Sequence, residues 1–154
     1  MTSRRDVFAG LRMAPFTTRA FAPRRSGRET LRRRYFQNVE LTTSDGDKVR
    51  FYDDLLKDKI VVLNLMYARC NGICPSTTTN LKRVQRLLRE QIETDIFIYS
   101  LTLKPEEDSP ERLKEYARIH GVDDPRWLFL TGKPGEVDLL RHNLGFAHPN
   151  PQVG

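Results

Sequence analysis

The chain has 154 residues, 38% of them apolar and 30% charged, which suits one globular domain with a tail and leaves no run near the ~20 apolar residues of a membrane-spanning helix. The net charge of +6 is unevenly spread: residues 1–36 carry ten Arg against Asp6 and Glu29, a net +8, whereas residues 37–154 net −2. An Arg-rich segment without interleaved aromatics or a recognised module does not make a nucleic-acid binder, so nucleic acid is not an expected partner.

Residues 1–36 read as a basic, disordered arm preceding a folded unit over 37–154. Ser3-Arg4-Arg5-Asp6-Val7-Phe8 is similar to the start of a twin-arginine export signal. Arg12, Arg19, Arg24 and Arg25 interrupt the apolar stretch of about 7–15 residues that such a signal requires, so export by this segment is not expected. The arm suits anionic lipid at a membrane surface or an acidic partner.

Asn38 to Thr43 and Lys48 to Tyr52 alternate apolar and polar residues around Ser44-Asp45-Gly46-Asp47, which predicts a hairpin turning at Asp-Gly. Asp53 to Lys57 forms a short helical turn leading into Ile60-Val61-Val62-Leu63-Asn64-Leu65-Met66-Tyr67. That apolar run reads as a strand buried on both faces in the middle of a sheet. Cys70 and Cys74 stand at its exit. Pro75 suits a first helical position, with Ser76 to Thr79 capping and filling the first turn before the inward spacing Leu81, Val84, Leu88, Ile92. The helix runs to about Glu93, and its opposite face carries Lys82, Arg83, Arg86 and Arg89.

Cys74 is thus placed at a helix N-terminus and Cys70 in the loop before it. Helix N–H groups and the dipole favour a thiolate there, which makes the sulfur a nucleophile and a soft-metal ligand. Buried structural cysteine is the ordinary alternative, but these are the only two cysteines and both fall at one strand-to-helix junction. Two cysteines do not by themselves fix the redox compartment.

Asp95 to Leu103 is a second apolar strand, parallel to the first because a helix supplies the crossover. Asp108 or Ser109 caps the next helix, Pro110 starts it, Leu113, Tyr116, Ala117 and His120 share a face, and Gly121 ends it. Trp127 to Thr131 is a third strand. A helix from Pro134 to about Leu144 turns Val137, Leu140 and Leu144 inward and stops at Gly145, after which the sequence is loop-like. Strands alternating with helices give an α/β fold.

A hairpin, a buried strand, a dithiol opening a helix and further β-α units resemble the thioredoxin fold, with helices on both faces of a central sheet. The spacing Cys-x-x-x-Cys-Pro after Val-Val-Leu-Asn-Leu-Met-Tyr resembles the Sco/SenC/PrrC proteins. Leu101-Thr102-Leu103-Lys104-Pro105-Glu106-Glu107-Asp108-Ser109-Pro110 is similar to that family's strand-loop-helix, and Trp127-Leu128-Phe129-Leu130-Thr131-Gly132 to the strand that follows. The resemblance implies a metallochaperone rather than an enzyme. Its cargo would be a copper ion held by Cys70 and Cys74, for the dinuclear centre of cytochrome c oxidase. The implied partner is the copper-accepting oxidase subunit or another thiol protein, and the implied location is the periplasm or a membrane.

The family's third ligand is a histidine in a later loop, and Gly154 comes ahead of any such segment. The unit 37–154 is therefore expected to lack the closing strands and to keep an open sheet edge. His148 lies nearby, in what looks like the connecting loop, while His120 and His142 read as structural. Two alternatives stand beside copper. One is a thiol:disulfide oxidoreductase, with Cys70 as the exposed attacking thiol and Cys74 resolving; the other is an inactive domain or interaction module.

Overall fold

The computed structural model describes residues 27–91 and 96–146. In chain order the elements are helix α1 (Gly27–Phe36), strands β1 (Glu40–Thr43) and β2 (Lys48–Arg50), a π-helical turn (Phe51–Leu56), β3 (Ile60–Met66), α2 (Ile73–Gln91), β4 (Ile96–Thr102), α3 (Pro110–Ile119), β5 (Trp127–Gly132) and α4 (Pro134–Asn143). The five strands form one sheet in the order β2-β1-β5-β4-β3. β3, β4 and β5 run parallel, joined by helical crossovers, and β1 is antiparallel to both β2 and β5.

Side-chain alternation along the strands divides the interior into two layers. Leu41, Tyr99, Leu101 and Leu130 pack with Phe51, Leu55, Val137 and Leu140. On the other face Met66, Ile98 and Phe129 pack with Leu113, Tyr116, Trp127 and both cysteines. Helices therefore cover both faces of the sheet, as in a thioredoxin-like α/β fold. Gly132 is the tight spot between β5 and β1: a Cβ there would sit 2.8 Å from Leu41 Cδ2.

Four expectations are corrected. The last ten residues of the expected disordered arm are α1. Glu29 in its first turn and Arg33 and Arg34 in its last complement the helix dipole. The helix docks on the π-helical turn, where Arg33 forms a two-pronged ion pair with Asp53, Tyr52 Oη donates to Glu29 (3.0 Å) and Phe36 stacks on Tyr52. The rest of the arm, residues 1–26, lies outside the described residues.

Second, among the described residues β3 is an edge strand, and the buried interior positions belong to β4 and β5. β3 is indeed apolar toward both layers, with Val61, Leu63 and Leu65 on one side and Val62 and Met66 on the other. Such a pattern fixes which faces are covered but not what lies beside the strand. Third, α2 begins at Ile73 rather than Pro75. Proline is tolerated at the third helical position because the first four N–H groups have no partner within the helix. Fourth, Val84 is exposed rather than inward.

The helix stops fall where glycine places them: Gly121 and Gly145 have φ of 60° and 78°, in the left-handed region that glycine enters without penalty.

Candidate functional site

The approach to the thiols is built by backbone bonds from neighbouring segments. β3 ends with the Met66 carbonyl accepting from Leu103 N–H (2.8 Å). The next turn closes when Cys70 N–H donates to the Tyr67 carbonyl (3.2 Å). Between these, Ala68 N–H donates to the Asp108 carboxylate (2.9 Å), which reaches across from the segment before α3. Cys70 thus ends a tight turn, and Cys74 is the second residue of α2.

Both cysteines are free thiols, and both are buried, at 8% and 6% exposure. The expected exposed Cys70 is therefore not found, because Met66, Tyr67, Ala68 and Trp127 pack in the same cluster. Their ionisation also differs from expectation. The sequence places the helix-stabilised thiolate at Cys74, but the structure gives that role to Cys70, lowered to about 7. The largest cause is a hydrogen bond from the Cys74 thiol, followed by the N–H groups of Cys74 and Gly72 and, more weakly, the Tyr67 hydroxyl. The donors at and just before the start of α2 thus point back to Cys70, in the turn that precedes the helix. Cys74 moves up, chiefly because burial disfavours its thiolate and then because it donates to Cys70. One thiol is poised to ionise near neutrality and its neighbour stays protonated.

Tyr67 shares this arrangement. Its hydroxyl ionises above the usual phenol range because it hydrogen-bonds the Cys70 sulfur, and Lys104 Nζ sits over its ring, 5.2 Å from the centroid. The floor of the site contains satisfied polar groups: Thr78 and Tyr116 hydroxyls meet at 2.9 Å, and Trp127 Nε1 donates to Ser100 Oγ at 3.0 Å. The sequence pattern does not mark Tyr67, Thr78 or Asp108 as site residues. Tyr67 offered a signal, since it lies three residues before Cys70.

No group of three or more His, Cys, Asp and Glu side chains capable of holding a metal occurs among the described residues. His120 packs its ring on Tyr116 at 4.2 Å, and His142 lies in the last turn of α4. His148 lies outside the described residues. What the structure brings together is a pair of soft donors, one easily ionised, which is chemistry for attacking a disulfide or holding a thiophilic ion.

Comparison with known proteins decides the family. The model describing SCO1/SenC matches residues 28–152, well over half of the chain. The chain belongs to the SCO1/SenC family. Among curated SCO1/SenC relatives, it is 31% identical over 97 residues to the SCO1 protein homolog of Bacillus subtilis (strain 168), covering 63% of this chain and 46% of that one. It thus spans about half the length of that relative. A solved structure of BsSco, described as carrying a disulfide switch and as a member of the Sco family of cytochrome c oxidase assembly proteins, superposes with a TM-score of 0.63. It is 26% identical and covers 73% of this chain and 64% of that one. Yeast Sco1 with copper bound superposes with a TM-score of 0.59 at 26% identity, over 68% of this chain and 63% of that one.

Proposed function

We propose that this SCO1/SenC chain binds Cu(I) through Cys70 and Cys74 and passes it to the copper-accepting subunit of cytochrome c oxidase or another thiol protein. The observation that carries this reading is the pair of free thiols in contact at the start of α2, with Cys70 lowered to about 7. Thiolates are soft donors that select Cu(I), and a site of two sulfurs suits an ion that is held and then surrendered by ligand exchange. The copper-bound yeast relative supports the choice of metal. Copper here is cargo, and the protein's contribution is to keep one sulfur ionised and the other within reach. Work at a periplasmic or other membrane surface accords with the family. No helix among the described residues is long and apolar enough to cross a membrane.

A second reading rests on the same asymmetry. A low-pKa thiol beside a protonated one is the arrangement of a thiol:disulfide oxidoreductase, in which Cys70 attacks and Cys74 resolves. The relative described as a disulfide switch supports it. Anaerobic titration with Cu(I) against a chelator of known affinity tests the copper reading. About one ion per chain is expected, lost in Cys70→Ser and in Cys74→Ser; full stoichiometry in the double variant would overturn it.

A further inference from the structure

Asp108 is buried, with 1% of its surface exposed, yet it does not cap α3. That task falls to Ser109, whose side chain accepts from Arg112 N–H. The Asp108 carboxylate faces away from its own helix and collects donors from two other segments. Its Oδ2 accepts from Thr102 Oγ1 at 2.6 Å, at the end of β4, and from Ala68 N–H at 2.9 Å, in the turn that delivers Cys70. Thr102 Oγ1 in turn accepts from Lys104 N–H at 3.0 Å, and Asp108 N–H donates to the Lys104 carbonyl at 2.9 Å. These bonds fasten the turn before Cys70 to the end of β4. A buried carboxylate is costly unless its donors are supplied, so this one is retained by holding them in place.

We propose that Asp108 is a positioning residue for the thiol pair: by gripping Ala68 N–H it holds the Tyr67–Cys70 turn so that the Cys70 and Cys74 sulfurs face each other. The inference rests on the reading of these cysteines as the working pair and adds the residue that keeps them in register. The consequence lies in the dithiol–disulfide equilibrium. When the pair closes, the two thiols give two electrons and two protons to oxidised glutathione, one S–S bond forms, and two molecules of reduced glutathione are released. The closer the sulfurs are held, the higher their effective concentration and the further this reaction runs.

The test is equilibration of the full chain in glutathione buffers, with alkylation and mass spectrometry counting the closed pair. Asp108→Ala should reduce the equilibrium constant about tenfold, equivalent to ~30 mV for a two-electron couple. Asp108→Asn should restore most of it, because an amide oxygen can accept both donors. Leu140→Ala, on the opposite face of the sheet, serves as a control that lowers stability without touching the site and should leave the constant within about twofold. If Asp108→Ala does not fold, Asp108→Ser, too short to span to Ala68, takes its place. The proposal is overturned if Asp108→Ala or Asp108→Ser shifts the constant no more than Leu140→Ala does, if Asp108→Asn fails to rescue, or if the unmodified chain closes no disulfide. Failure of Cu(I) to bind the unmodified chain would remove the copper reading and leave this equilibrium as a decisive measure of Asp108.

Discussion

The two faces of the sheet are built from the same strands and do different work. Along β4 the residues alternate: Tyr99 and Leu101 enter the layer under the π-helical turn and α4, while Ile98 enters the thiol layer. Ser100 and Thr102 occupy alternate positions with Ile98, and their hydroxyls bond Trp127 and Asp108. The first layer is packed from aliphatic and aromatic side chains, Phe51 and Tyr99 among them. The second contains the cysteines, the Thr78–Tyr116 pair and the Asp108 carboxylate. Polar groups in an interior must be satisfied and fix unique partners, whereas apolar packing tolerates repacking. One face supplies stability and the other a defined geometry, and a period of two along one strand keeps them apart.

The largest effect belongs to the apolar face. Leu140 is fully buried in that layer, and Leu140→Ala should lower unfolding free energy by about 2–5 kcal/mol. Denaturant unfolding measures this, and the alkylation rate of the thiols in the folded state should be unchanged. A parallel change in thiol reactivity would show that the two faces are coupled.

An intermediate effect is expected on the thiol face. Thr78→Val preserves shape but leaves the Tyr116 hydroxyl, in a residue only 5% exposed, without its 2.9 Å partner. The stability loss should be about 1–3 kcal/mol, the cost of an unsatisfied buried hydroxyl. Adding Tyr116→Phe should recover part of it, since the stranded hydroxyl is then gone. Two additive losses would instead mean that the pair is not a unit.

Much of this division was legible in the sequence, because periodicity reports which side of an element is covered. The hairpin, the turn residue Gly46 and the helix stops at Gly121 and Gly145 follow from local pattern and local φ, and the parallel pairing of β3 with β4 follows from the helix between them. What escaped depends on neighbours distant in sequence. The lateral place of β3 is set by which strand pairs with it, and an edge strand with two covered faces reads like a central one. The order of α1 comes from Asp53 and Tyr52, some 20 residues away. Asp108 looked like a helix cap because caps are local, while its partner Ala68 is 40 residues earlier. The thiol pair and Cys70 as its attacking member follow from spacing, but the source of the charge on Cys70 does not: local pattern gives the helix-terminal N–H groups to the cysteine inside the helix, whereas the turn brings Cys70 back over them.

That asymmetry between the thiols gives the smallest and sharpest prediction. Cys70 ionises near 7 and Cys74 above the usual thiol range. The Cys70 thiolate fraction, and with it the alkylation rate, should climb through about pH 7. Any stability gained from that thiolate should increase from about pH 7 toward the ordinary thiol pKa and vanish below about pH 7, because a depressed folded-state pKa favours the native state only where the group is charged. The causes are ranked, which turns a single inflection into an ordering. Removing the Cys74 thiol deletes the leading hydrogen bond, and removing the Tyr67 hydroxyl deletes a weaker one. The inflection for Cys70, followed peptide by peptide, should therefore lie lowest in the unmodified chain, higher in Tyr67→Phe and higher still in Cys74→Ala. In Tyr67→Phe the Lys104 ammonium still has an aromatic face to sit on, so the shift there isolates the hydroxyl alone. An inflection in Cys74→Ala below that in Tyr67→Phe would mean that the helix N–H groups and Tyr67, not the partner thiol, hold the charge on Cys70.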